Sequence, residues 1–199
     1  MSRFPAFRVV ALVAALCFLA GSVGYVLGRG QPPGADSADV GFLHDMLRHH
    51  EQAVTMATLE LANGATPDVQ SFAREIVLFQ SYEIGLMDAQ LQDWGYRREV
   101  PPDRAMAWMG HDTDPDAMPG MASAEDLDAL RAAEGRDSDA LFLTLMQDHH
   151  RGGVQMAEAA VDLVRDDDLR DLARRIADVQ RAEIQELDAA RQRASLPSP

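Results

Sequence analysis

Met46-Leu-Arg-His49-His50 runs on to Met56-Ala57, and one hundred residues later Met146-Gln-Asp-His149-His150 runs on to Met156-Ala157. Both stretches read M-x-x-H-H-x5-M-A and together hold four of the six histidines. Imidazole and thioether are donors that soft and borderline metal ions prefer, so the doubled cassette points to metal chemistry. Met46, His49, His50 and Met56, with Met146, His149, His150 and Met156, are the first candidate ligands. The region between the cassettes adds Met106, Met109, His111, Met118 and Met121 as weaker candidates.

On a helical wheel Phe42, Met46, His49, His50, Ala53, Met56 and Ala57 share one stripe, and their counterparts in the second copy do the same. Adjacent histidines diverge by about 100° on a helix and therefore reach different neighbours. His44 falls on the opposite face, where a solvated side chain is expected. Further on, Gln80 and Glu83 interrupt an apolar stripe, as do Gln180 and Glu183. A carboxylate placed there needs a partner, because burying it alone costs several kcal/mol. The facing histidines are the natural partners, with Glu83 and Glu183 either orienting the rings or joining them as metal ligands.

The repeat is wider than the cassette. Aligned without a gap, 39–91 and 139–191 share about 18 of 53 positions, a sign of internal duplication. Capping and breaking residues divide each copy into two helices: one from Ser37 or Asp39 to about Ala62, with Asn63-Gly64 as a left-handed stop, and one from Pro67 to about Trp94. In the second copy Ser138-Asp139 opens a helix to about Val164, and Asp166-Asp167-Asp168 caps another to about Ala194. A short helix is expected within 123–134. Two hairpins with similar apolar stripes bury them best against each other, as an all-α antiparallel four-helix bundle with a long crossover. The domain is 39–194, made of a first hairpin (39–94), a Met-containing crossover (95–137) and a second hairpin (138–194).

Residues 1–30 form a separate amino-terminal segment, and 31–38 is a Pro/Gly-containing linker. Residues 9–28 carry no charge, and as a helix they would span ~30 Å, the thickness of a hydrocarbon core. Arg3 and Arg8 precede the run, which orients the amino end to the cytoplasm and the body outside. A transmembrane anchor is expected, with a signal peptide cleaved after Ser22 as the alternative; either exports the domain. The first thirty residues contain three arginines and no acid, leaving 15 arginines against 32 acidic side chains in the rest. Such a body repels nucleic acid and anionic lipid and attracts cations. Cys17 lies within the apolar run, so the exported part has no thiol for disulfides or thiolate sites.

The cassettes, the segments Gln80-x2-Glu83-Ile84 and Gln180-x2-Glu183-Ile184, and Met118-Pro-Gly-Met121 occur here in one order. In this the chain resembles the secreted family of the domain of unknown function numbered 305, over about 39–194. The resemblance implies a ferritin-like bundle exported from a bacterium, with copper-binding members. Copper ligands would then fall on the cassette positions and on the Met-containing crossover.

Three functions are in competition. The first is an exported, membrane-anchored protein that sequesters or transfers copper, with affinity expected to fall below about pH 6.5 as imidazoles protonate. The second is a metal-free envelope interaction module in which the histidines are core hydrogen-bonding groups. The third, a di-metal oxidase, lacks the Glu-x-x-His pairs and the carboxylates such sites use. No nucleophilic arrangement is legible, so no enzyme is expected. Protein partners and oligomeric state, a homo-oligomer included, are left open.

Overall fold

The computed structural model describes residues 6–28 and 31–196; the side chains of 6, 7 and 25–28 lie outside that description. Among the described residues there are six α-helices and no strand. They are α1 (Ala6–Gly28), α2 (Ala38–Asn63), α3 (Pro67–Asp93), α4 (Ala124–Ala132), α5 (Arg136–Leu163) and α6 (Asp167–Arg193).

The chain divides into two units, the first ending at Pro32. In the first, residues 8–24 of α1 are exposed on every face. Among the described residues no helix is long and apolar enough to cross a membrane. The expected apolar span runs on through 25–28, outside the described side chains, and Arg3 lies outside the described residues altogether.

The second unit is the helical bundle. The Ser37 hydroxyl accepts from the Val40 amide to cap α2, Pro67 occupies the first turn of α3, and Asp166 accepts from Leu169 to cap α6. Ser123 and Asp126 close a reciprocal capping box on α4, the short helix expected in that region.

Each hairpin packs on itself, α2 with α3 and α5 with α6; α2 then lies along α5, while α3 and α6 barely meet. Two matched aspartates lock this arrangement. Asp39, at the start of α2, accepts from the amides of Arg165 (3.0 Å) and Asp166 (2.8 Å) in the turn of the other hairpin. Asp139, at the start of α5, accepts from Ala65 (3.0 Å) and Thr66 in the turn of the first. Each hairpin thus satisfies orphan amides at a helix start in its partner, which fixes α2 antiparallel to α5.

Gly64 corrects one expectation. Its φ is −70°, so it is no left-handed stop. It is glycine because a Cβ there would lie 1.9 Å from Glu60 Oε1 and 2.8 Å from Asp139 Oδ1. Glu60 is fully buried beside Asp139, and its carboxyl is pushed up to about 8, by burial first and then by Asp139.

The crossover is folded onto the bundle. Asp45 accepts from the Met106 amide (2.8 Å) and from Trp108 Nε1 (2.7 Å), and the Trp108 ring stands edge-on to Phe42 at 5.7 Å. His44, which the helical wheel assigned to solvent, is buried rather than solvated, 6% exposed. Burial lowers its pKa.

Candidate metal centre

Antiparallel pairing of two copies of one helix brings like positions together only at its middle. There His49 and His149 meet as stacked rings, centroids 3.7 Å apart and planes 23° apart. His50 and His150 turn away from the stack, as adjacent residues on a helix must. His50 Nε2 lies 2.8 Å from Glu83 Oε2, and His150 Nε2 lies 2.7 Å from Glu183 Oε2. All four histidines are fully buried.

The crossover closes this layer from one side. Pro119 O lies 3.2 Å from His49 Nε2, and Gly120 O lies 3.2 Å from His149 Nδ1. His149 Nε2 also lies 3.0 Å from the His49 carbonyl. Gln52 holds the segment by donating to Ala122 O (2.9 Å) and accepting from Ala122 N (2.7 Å). At Gly152 the Pro119 carbonyl presses so close that a Cβ would lie 2.0 Å from its oxygen. Gly120, with φ of 78°, fits against the carbonyls of Asp148 and His149, where a Cβ would again clash.

Burial holds His49 and His149 neutral. His49 is lowered to about 3, by desolvation first and then by His50. His149 is lowered well below the usual value, by desolvation and then by His49. The expected loss of ligand capacity below about pH 6.5 therefore does not apply to these two rings. A neutral imidazole carries one N–H and one lone pair. Each hydrogen-bonding contact of the four ring systems is to an oxygen: three backbone carbonyls and two carboxylates. Nδ1 of His49, His50 and His150 has no partner, and the two nitrogens of His149 face two carbonyls although the ring has one proton to give. Among the described residues, no donor reaches Nδ1 of His49, His50 or His150, or the nitrogen of His149 that carries no proton.

The methionines flank it. Met46 and Met156 share one buried cluster, and Met56 and Met146 share another. The first cluster also takes Met87, Met106 and Met118, with Met109 and Met121 packed against it. His111 is exposed and joins neither. Met87, Asp45, Gln52 and Glu60 were not singled out as site residues in the sequence; their importance comes from what the crossover and the opposite hairpin bring to them.

Among the described residues no three of histidine, cysteine, aspartate and glutamate gather as a preformed cage. A hard ion that wants several oxygens is poorly served. Buried ring nitrogens without donors, between clusters of buried thioethers, match a soft ion.

The model of the domain of unknown function DUF305 matches residues 39–191. The chain belongs to the DUF305 family. A DUF305 protein from Streptomyces coelicolor has 32% identity and a TM-score of 0.77, over 83% of this chain and 99% of that one. A DUF305 fragment from Deinococcus radiodurans has 30% identity and a TM-score of 0.68, over 78% and 96%. CopM in its Cu(I)-bound form has 28% identity and a TM-score of 0.60, over 78% and 96%. CopM is also solved in Ag-bound and Cu(II)-bound forms. No match is found among the curated proteins. In this DUF305 chain both cassettes and both His–Glu pairs lie within the matched region.

Proposed function

We propose that this DUF305 protein binds copper outside the cytoplasm, sequestering it or passing it on, through its Met/His cassettes. The observation that carries this reading is the set of buried ring lone pairs without donors. A structural hydrogen-bond lattice would pair lone pairs with donors, because burying an unsatisfied acceptor costs about 1–3 kcal/mol. A cation removes that cost at once. His49, His50, His149 and His150 supply nitrogen, and Met46, Met56, Met146 and Met156 supply sulfur. Glu83 and Glu183 hold His50 and His150 through their Nε2 atoms. The likeness to CopM supports copper as the ion. The role is binding rather than catalysis.

The amino-terminal segment is the means of export, as a membrane anchor or a cleaved signal. An apolar helix exposed all round suits a lipid surrounding.

Titrating the full-length chain with Cu(I) against a competing chelator tests the reading. Affinity tighter than about micromolar is expected, some 8 kcal/mol of binding, with loss when the four cassette histidines become alanine. Binding weaker than that, or indifferent to the four substitutions, overturns it. The metal-free alternative is favoured by one fact, that each cassette histidine has at least one protein contact. It predicts a melting temperature that copper does not move.

A further inference from the structure

The histidine layer has two sides of opposite character. Toward the crossover it is sealed by backbone, with Pro119 and Gly120 in contact with both stacked rings and with α5 at Gly152. Toward α3 and α6 it ends at Glu83 and Glu183. There the two helices splay, leaving a groove of about 690 Å³ that both glutamates line. Their side chains keep 18% and 15% exposure, while the histidines they hold have none. Each carboxylate therefore touches water on one side and a buried imidazole on the other.

We infer that the α3–α6 groove is the way in for the cation, with Glu83 and Glu183 as relay ligands between solvent and the histidine layer. This rests on the reading that the layer takes copper. Among apolar side chains such as Phe79, Tyr82 and Leu86, five carboxylates line the groove against the guanidinium groups of Arg175 and Arg193, and this excess of negative charge favours a cation. Arg193 is itself engaged by Asp68 at 2.9 Å. Gln80 and Gln180 line the groove at the level of the glutamates, each 2% exposed, with neither amide nitrogen nor oxygen hydrogen-bonded. The transfer exchanges coordination only: water and carboxylate oxygen are released as ring nitrogen and thioether take the ion.

The route is tested by filling the groove without touching any proposed ligand. Val179 and Ala182 both line it and are exposed, so Val179→Phe with Ala182→Phe narrows it at positions the fold tolerates. The full-length chain is mixed with free Ag(I) in a stopped-flow instrument, with uptake read from the emission of Trp94 and Trp108. Association is expected to slow by about tenfold in the filled variant, with the equilibrium constant unchanged within about twofold. Glu83→Gln with Glu183→Gln, which keeps shape and removes charge, is expected to slow uptake and flatten its dependence on ionic strength. Wild-type association rates in both variants overturn the route while leaving copper binding intact. A filled variant that loses affinity at an unchanged association rate overturns it as well. A wild-type chain that takes up no Ag(I) overturns the route together with the reading beneath it.

Discussion

The two hairpins carry the same cassette, yet they hold the crossover by opposite means. Position 52 of the first is glutamine, whose amide grips both backbone groups of Ala122. Position 152 of the second is glycine, and the absence of a side chain lets Pro119 lie directly on α5. One hairpin adds a side chain as a clamp; the other deletes one to admit the backbone. The next positions differ in the same sense: Ala53 is an ordinary core residue, whereas Gly153 makes room for the Gln180 amide, which a Cβ would approach to 2.2 Å. Duplication made the two halves interchangeable, and a single crossover cannot bind both alike. The ends of the bundle diverge for the same reason. The crossover brings Met106 and Met118 to the cluster holding Met46 and Met156, while the end holding Met56 and Met146 has the buried Glu60–Asp139 pair near its turn.

The largest difference between the hairpins is expected at Gly152. Gly152→Val drives a side chain into the Pro119 backbone, which cannot rotate away. A loss of 3 kcal/mol or more is expected, on the order of severe overpacking, with faster amide exchange through 118–122. Urea unfolding with hydrogen exchange measures both, and an unchanged midpoint would show that the crossover does not need this contact.

The next effect separates the two ends of the bundle by pH. Glu60 has a folded-state pKa raised to about 8, so its contribution is complete below the unfolded value near 4.5 and is lost as pH rises through 8. His49, lowered to about 3, contributes in the opposite sense: its stability is present above about 6.5 and is lost as pH falls toward 3. Each is worth on the order of a few kcal/mol across its window. Stability is expected to peak near neutral or slightly acid pH. Glu60→Gln should flatten stability above about pH 6.5 and leave the loss below about pH 4.5 in place. Thermal melts across pH 4–9 read this; equal slopes in wild type and variant would contradict it.

The smallest effect sharpens the comparison at the clamp. Gln52→Ala removes two hydrogen bonds from a half-buried site and should cost about 1–2 kcal/mol, well below the Gly152 substitution. A larger loss at position 52 than at 152 would reverse the proposed division of labour.

Much of this was legible in residue order. Four-helix pairing followed from two copies of one pair of apolar stripes, and the contacts of Glu83 and Glu183 with histidine followed from carboxylates inside those stripes. Asp39 and Asp139 were visible as a matched pair, but their reach into the opposite hairpin was not, because a capping acceptor looks the same whichever helix it serves. The burial of His44 is not legible in the helical wheel, which places residues relative to one packed face and not to segments far along the chain.

Local pattern alone determined the helices, their duplication, and the set of imidazoles and thioethers turned inward, since periodicity and capping act within a few residues along the chain. Only the tertiary structure decided that His49 stacks on His149, that backbone carbonyls close one side of the layer, and that α3 and α6 part to open the other. Those outcomes depend on how two near-identical hairpins meet around one unrepeated segment, a question of steric fit and desolvation between residues far apart in sequence.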